Sequence, residues 1–169
     1  MKFLIFILFG ILPLTSFSKI LPCYGAKGHV HINGGGFVAD TAKVDSSVFV
    51  DKNAQVCGAA EVRGNSKLLF NSIVEDQASV SGSAIISGSS RVSGKAVIAD
   101  KALVEGGSKV FGSAQVLGSA KIRGTAQVFQ HAIVKDFAIA SGSSKVFGNA
   151  ILENNDRISK NSQISNRQQ

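Results

Sequence analysis

Tryptophan is absent from this chain of 169 residues, and charged residues make up only 17% of it. Small residues are abundant instead, with 18 glycines and many alanines and serines. An ordinary globular core depends on larger side chains and is hard to build from such a composition. We therefore expect a single domain of another kind, whose interior is filled by small and medium-sized residues.

Long apolar runs are also missing, except at the amino terminus. The stretch MKFLIFILFGILPLTSFS has a basic Lys2, an apolar run over 3–14 and small residues at Ser16 and Ser18, which is typical of a secretory signal peptide. The run is shorter than the roughly 20 residues of a transmembrane helix, and an uncleaved anchor is the alternative. We predict a signal peptide over 1–18, no transmembrane helix after its cleavage, and an exported protein that is periplasmic, on the cell surface or secreted.

Only two cysteines are present, Cys23 and Cys57. An oxidising compartment would permit a disulfide between them, and two free thiols are the alternative. A lipid-modified Cys23 is disfavoured, because Pro22 stands where lipoprotein signals have a small residue. The formal net charge of +7 falls to +6 without Lys2. Because the remaining Lys and Arg residues are scattered, they favour a solvated surface over a nucleic-acid partner.

Aliphatic residues recur every six positions from Ile32 to Ile164. A small residue stands two places before most of them, and a turn former, usually Gly or Asp, stands two places after. Strand alternation puts the small and the aliphatic residue on one face, and the turn former bends the chain where positive φ is needed. A strand this short must stack on copies of itself, which predicts a β-solenoid.

This small-x-aliphatic-x-Gly-x pattern, unbroken over about 30–164, resembles the hexapeptide-repeat family. The resemblance implies an all-β, single-domain, left-handed parallel β-helix with three hexads in each turn. We expect about seven to eight turns and a length of roughly 37 Å. The segment 19–29 is expected to cap the first turn, and 165–169 to form a polar tail. A disulfide between Cys23 and Cys57, if formed, would hold this cap in place.

The three histidines allow little chemistry. Many members of the resembling family are acyltransferases with a histidine base between the subunits of a trimer, and His131 is the weak candidate for that base here. No long loop interrupts the hexads to form a substrate cleft, and acyl-coenzyme A is not expected outside the cytoplasm. Other members resemble carbonic anhydrases with three zinc-binding histidines, but His29 and His31 lie roughly 27 Å from His131 by strand spacing. We expect no metal and no cofactor.

Residues that are 18 positions apart should be stacked neighbours on the solenoid surface. Phe111, Phe129 and Phe147 have this spacing and each follows an inward valine, which predicts an outward aromatic ladder with Lys109 and Lys145 beside it. Such rings can stabilise their own sheet or contact a partner. Other outward columns favour a packed neighbour too: Val97, Ile133 and Ile151, with Leu117 adjoining, and on the third face Ile85, Leu103 and Ile139.

These patterns predict an exported, noncatalytic structural or binding protein that self-associates through the outward phenylalanines. A homotrimer is the first expectation, as in the resembling family, and an envelope polysaccharide or an anionic surface is the ligand that Phe and Lys side chains would suit. Two alternatives stay open. One is a hexapeptide-type acyltransferase with His131 at an intersubunit site, and the other is a β-helix that polymerises end to end.

Overall fold

The computed structural model describes residues 22–166 of the chain. They form 23 short β-strands and one 3₁₀-like turn, Pro22–Gly25. Within these residues no helix has the length and apolar character needed to cross a membrane. The predicted signal segment, 1–18, lies outside the described residues, as do the last three residues of the predicted tail.

The strands assemble into three sheets that enclose one axis, and each turn of the chain adds one strand to every sheet. Sheet 1 comprises β1 (Gly28–Val30), β2 (Phe37–Ala39), β5 (Gln55–Val56), β8 (Ile73–Val74), β11 (Arg91–Val92), β14 (Lys109–Val110), β17 (Gln127–Val128), β20 (Lys145–Val146) and β23 (Gln163–Ile164). Sheet 2 comprises β3 (Lys43–Val44), β6 (Glu61–Val62), β9 (Ser79–Val80), β12 (Val97–Ile98), β15 (Gln115–Val116), β18 (Ile133–Val134) and β21 (Ile151–Leu152). Sheet 3 comprises β4 (Phe49–Val50), β7 (Lys67–Leu68), β10 (Ile85–Ile86), β13 (Leu103–Val104), β16 (Lys121–Ile122), β19 (Ile139–Ala140) and β22 (Arg157–Ile158).

Neighbouring strands of β2–β23 are parallel and 18 residues apart in the chain. On sheet 1, for example, Val110 lies beside Val92 on one side and Val128 on the other. The backbone N–H of Lys109 donates to Ala126 O in the next turn at 2.9 Å, and this pattern continues along the chain. The predicted β-solenoid is confirmed, with three hexads in each turn and seven strands each in sheets 2 and 3.

The inward aliphatic residues form one continuous core along the axis. Val110, Val116 and Ile122, which follow one another around a turn, each have 0% of their surface exposed. Small residues two places earlier, such as Ala114 and Ala120, fill the corners of the core. Because burial of a Val or Ile side chain contributes roughly 1.5–3 kcal/mol, this stack is the main source of stability.

Most corners contain a residue with positive φ two places after the aliphatic residue. Gly82 has φ of 73°, and a Cβ there would lie 2.8 Å from the backbone N of Asp100 in the next turn, so a side chain would force the backbone to shift and glycine is favoured. Asp100 itself has φ of 63°. Its carboxylate accepts a hydrogen bond from the backbone N–H of Gly118 at 2.9 Å, so this acidic corner residue also links two turns.

The solenoid begins later than the sequence pattern indicates. Ile32 fits the six-residue phase, but its side chain is 87% exposed, and Val38 is the first fully inward residue of the core. β1 pairs antiparallel with β2 and does not continue the parallel stack. The chain reverses through Gly34 and Gly35, whose φ angles of 106° and 81° favour glycine. We therefore place the start of the solenoid at β2, and not at residue 30.

The segment before β1, described over residues 22–27, is attached to sheet 1, and we call it the lead. The expected disulfide between Cys23 and Cys57 is present and joins the 3₁₀-like turn to the residue after β5. The backbone N–H of Cys23 also donates to Gln55 Oε1 at 2.8 Å. The lead thus covers the first part of sheet 1, and β1 pairs with the edge that β2 would otherwise expose.

Candidate functional site

Three stacked phenylalanines form the most regular feature of the solenoid surface. Phe111, Phe129 and Phe147 follow β14, β17 and β20 on sheet 1, and we call them the Phe ladder. The ring centroids of Phe111 and Phe129 are 4.9 Å apart with planes 2° from parallel, and those of Phe129 and Phe147 are 5.2 Å apart at 6°. The strand register sets this spacing, because Phe111 N donates to Val128 O and Phe129 N to Val146 O, each at 3.0 Å.

Stacking determines which part of each ring is available for contact. The rings of the Phe ladder are half-buried, and the central ring of Phe129 has a neighbouring ring on both faces. The ladder therefore presents mainly ring edges, which carry partial positive charge. Flat apolar side chains or carbonyl oxygens of a partner suit such a surface, whereas a sugar ring that stacks face to face does not.

Lys109 and Lys145 lie beside the Phe ladder, in the row that precedes the inward valines. Gln127 lies between them in this row, one turn after Lys109 and one turn before Lys145. Lys109 is exposed and Lys145 is half-buried. Neither lysine has an ion-pair partner among residues 22–166, so both amines remain available to a partner's carboxylate or carbonyl groups.

Arg91, one turn before Lys109 in the same row, is engaged by the lead. Its Nη1 contacts Tyr24 Oη at 3.1 Å and Glu75 Oε1 at 2.9 Å. The hydrogen bond to Tyr24 raises the pKa of the Arg91 guanidinium; partial burial opposes this rise and Glu75 adds to it. Arg91 therefore closes the amino-terminal end of the surface that carries the Phe ladder.

His131, the candidate base, lies at the corner between sheets 1 and 2, two residues after Phe129. Its side chain is exposed, and its backbone N–H donates to Gly148 O at 3.0 Å. The imidazole has no hydrogen-bond partner in the described part of the chain, so no second group orients it as a general base requires. A second subunit would have to supply both that group and the walls of a substrate site.

The other two histidines take different positions near β1. His31 is buried, and its Nε2 lies 3.0 Å from Val48 O, so it serves packing of the first turn. His29 is exposed, with Nδ1 3.6 Å from Asp40 Oδ1. Within residues 22–166 no cluster of three or more His, Cys, Asp or Glu side chains is arranged to hold a metal ion.

The apolar residues predicted to form outward columns lie on the other two sheets, but the columns are interrupted. On sheet 2, Gln115 separates Val97 from Ile133. Ile133 lies beside Ile151 on sheet 2. Along the chain, the corner between sheets 1 and 2 separates this pair from the Phe ladder. On sheet 3, Ile85 lies beside Leu103, and Lys121 separates this pair from Ile139. All of these side chains are half-exposed. Apolar side chains therefore flank the corner between sheets 1 and 2 on both sides.

Sequence reasoning missed two exposed phenylalanines at corners of the solenoid, Phe70, whose side chain is 61% exposed, and Phe137. Phe137 lies at the corner between sheets 2 and 3. Its side chain is 65% exposed. The signal was present in the sequence, since the third position after the aliphatic residue is otherwise small or polar, as at Ser119 one turn before and Asn155 one turn after. A large apolar side chain in a column of polar ones indicates a local role beyond the fold.

Comparison of the chain with models of known protein families, with curated proteins and with solved structures finds no match. The resemblance to the hexapeptide-repeat family therefore stays a prediction that depends on the hexad pattern. A functional interpretation has to come from the geometry of the solenoid surface itself.

Proposed function

We propose that the protein is an exported, noncatalytic structural or binding β-solenoid that self-associates through the Phe ladder. The observation that carries this proposal is the run of three rings stacked at 4.9 and 5.2 Å on sheet 1. A rigid strip of ring edges loses little side-chain entropy on binding, because each ring is already ordered by its neighbours. Aromatic side chains of this kind are enriched at the centres of protein interfaces.

Self-association is favoured by a second apolar strip next to the first. Ile133 and Ile151 on sheet 2 adjoin the same corner as the Phe ladder. Packing of the Phe ladder of one copy against Ile133 and Ile151 of the next gives a head-to-tail contact, which closes into a ring when the rotation is suitable. A ring of three copies is the arrangement that the family resemblance implies, and it lets Lys109 and Lys145 remain at the solvated rim.

Two observations support export of the protein, one from the structure and one from the sequence. The disulfide between Cys23 and Cys57 is compatible with an oxidising compartment, and the sequence before it is typical of a signal peptide. We propose that the mature protein works in the periplasm, on the cell surface or after secretion. A binding or scaffolding role suits the surface, since His131 has no orienting partner among the described residues.

The test is the solution mass of the mature chain, residues 19–169, measured by light scattering. Wild-type protein should have a mass of about three chains, consistent with a closed ring. Phe129→Glu should lower the mass to that of one chain, because it places a charge in the apolar contact. Ile133→Glu should do the same from the other side of the contact.

Phe137→Glu is the matched control, since it makes the same change at an aromatic residue on a different corner. It should leave the mass unchanged, and circular dichroism should show that all variants retain the wild-type β signal. A monomeric wild type, or an unchanged mass for Phe129→Glu, would refute the proposal. A mass that grows continuously with concentration would replace it with end-to-end polymerisation.

A second candidate function is acyl transfer with His131 at the intersubunit site. The observation in its favour is that His131 follows the Phe ladder by two residues, at the corner that the proposed contact would cover. Turnover with acyl thioester donors that disappears in His131→Ala would support this function. Oligomeric protein without turnover for any acyl donor would exclude it and leave the binding role.

A further inference from the structure

Phe137 differs from the Phe ladder in its surroundings. In residues 22–166 its ring stacks on no other aromatic ring, and the residues one turn before and after it in the column are Ser119 and Asn155. Two shallow depressions flank it, of about 470 Å³ on the side of sheet 2 and about 450 Å³ on the side of sheet 3. Ser119, Phe137 and Asn155 line both depressions. We call this set of residues and depressions the Phe137 corner.

Positive charge surrounds the depression on the side of sheet 3. Lys101, Lys121 and Arg157 line it, together with Ile139. None of these three cations has an ion-pair partner within the described part of the chain. Their charges are therefore available to an anionic ligand.

The nearby acidic groups already have partners. Asp136 Oδ2 accepts from the backbone N–H of Asn154 at 3.0 Å, and Asp100 Oδ2 accepts from that of Gly118 at 2.9 Å. Glu153 forms an ion pair with Lys135 at 2.9 Å. Asp136 and Asp100 keep their negative charge despite these hydrogen bonds, but neither lines the depression on the side of sheet 3, whose charged lining residues are Lys101, Lys121 and Arg157. The charge of that depression is therefore positive.

Two of the cations are spaced along the solenoid axis. Lys121 and Arg157 occupy the same outward column of sheet 3, two turns apart, with Ile139 between them. Two strand spacings correspond to about 10 Å. This distance is comparable to the length of a disaccharide in an extended chain, so a polymer with an acidic group on every second sugar could place one carboxylate at each cation.

We propose that the Phe137 corner binds an extended acidic polysaccharide. The aromatic ring offers an apolar face to the C–H groups of a sugar, and Ser119 and Asn155 offer hydrogen-bonding groups to its hydroxyls. Arg157 can bind a carboxylate through two hydrogen bonds, and Lys121 acts as a point charge. The depressions are open and shallow, which suits a long chain, whereas small ligands occupy enclosed sites.

A polysaccharide fits these features better than single-stranded nucleic acid does. Proteins that bind single strands stack successive bases on several aromatic side chains along a basic groove. The Phe137 corner contains one unstacked ring, and its neighbours in the column are Ser119 and Asn155. The site is thus suited to one stacked sugar with charges at a fixed spacing on one side.

The Phe137 corner lies opposite sheet 1, because each turn passes from sheet 1 to sheet 2, then sheet 3. Self-association through the Phe ladder would leave this corner exposed on every copy. The proposal does not depend on self-association, but an oligomer would bind a polymer through several corners at once and gain avidity.

The experiment is calorimetric titration of the mature chain with short oligosaccharides of hyaluronate and of polygalacturonate, which carry carboxylates on every second and on every sugar. Short ligands report the affinity of single sites and remove avidity. Wild type should bind at least one of them, and neutral dextran oligosaccharides should not bind. Phe137→Ala, Lys121→Gln and Arg157→Gln should each weaken binding by about tenfold, equivalent to roughly 1.4 kcal/mol.

Two matched controls make the test specific. Lys67→Gln removes a cation from the same column of sheet 3, three turns before Lys121, and should leave the affinity unchanged. Phe129→Glu should alter the solution mass but not the affinity of a single site, which separates this proposal from self-association. No binding of either acidic ligand by wild type, or an equal loss in Lys67→Gln, would overturn the proposal. Tighter binding of an oligothymidine with the same dependence on Phe137 would assign the corner to nucleic acid instead.

Discussion

At the scale of single residues, burial of a serine hydroxyl inside the solenoid costs least where a backbone carbonyl accepts its hydrogen bond. The buried serines at the corners between sheets 3 and 1 show two cases. Ser90 Oγ donates to Ser87 O at 2.7 Å. Ser144 Oγ is buried without a hydrogen-bond partner among the described residues. Ala126, one turn before Ser144 in the same column, is also fully buried, so the methyl group of alanine fills this position adequately.

We expect Ser144→Ala to raise the free energy of unfolding by up to about 1 kcal/mol, because it removes a buried hydroxyl that has lost its water without gaining a partner. Ser90→Ala is the matched change and should lower that free energy by about 0.5–1.5 kcal/mol, because it deletes a formed hydrogen bond. Denaturant unfolding measures both. A larger loss for Ser144→Ala than for Ser90→Ala would show that the Ser144 hydroxyl has a partner after all.

At the scale of the hexad, one inward aliphatic residue and one corner residue specify each strand. A strand of two residues forms few hydrogen bonds of its own, so it is stable only with identical strands one turn before and after it. Val116 illustrates this, since it lies between Ile98 and Val134 on sheet 2 and is fully buried. A defect at such a position affects the turn that contains it and both neighbouring turns.

Val116→Thr should lower the free energy of unfolding by about 1–3 kcal/mol, because threonine has nearly the same shape but buries a hydroxyl in an apolar stack. The control is Gln115→Thr at the preceding, outward position, which should change it by no more than about 0.5 kcal/mol. Thermal and denaturant unfolding of the two variants provide the comparison. Equal effects would mean that the inward position is less apolar than the fold indicates.

The hexad explains why much of this structure was predictable from the sequence. Phase alone placed Phe111, Phe129 and Phe147 in one stack and the aliphatic residues inside. The six-residue spacing could not show where the parallel stack of strands starts. Ile32 has the correct spacing, but no neighbouring turn of the solenoid buries it. The run Gly34–Gly36 was the available sign that the chain reverses there.

Two features of the surface depended on contacts between turns. The hydrogen bond from Gly118 to Asp100 joins residues that are 18 positions apart, and the hexad pattern treats Asp100 only as a turn former. The Phe137 corner contains residues from several turns of sheets 2 and 3. Its cations have no ion-pair partner among the described residues. Spacing identifies such neighbours, but only side-chain geometry shows which charges already have partners.

At the scale of the whole molecule, the solenoid is nearly one-dimensional, because strands contact those one turn away. Its two ends therefore differ from its middle and from each other. At the amino-terminal end the lead, β1 and the disulfide cover the first turns of sheet 1. At the other end Ile158 and Ile164 are only partly buried, although they occupy inward positions. Local opening should start at these ends and not in the middle.

Replacement of both Cys23 and Cys57 by serine tests this view of the molecule. The disulfide closes a loop with a sequence separation of 34 residues, and the loss of such a link costs about 2–4 kcal/mol. Because turns interact only with their neighbours, we expect the effect to be local: amide hydrogen exchange should become at least about tenfold faster in β1 and β2 and stay unchanged in β14 and β17. Hydrogen exchange followed by mass spectrometry on the double variant and wild type measures this. Faster exchange throughout the chain would instead show that the solenoid opens as one cooperative unit whose stability depends on its amino-terminal cap.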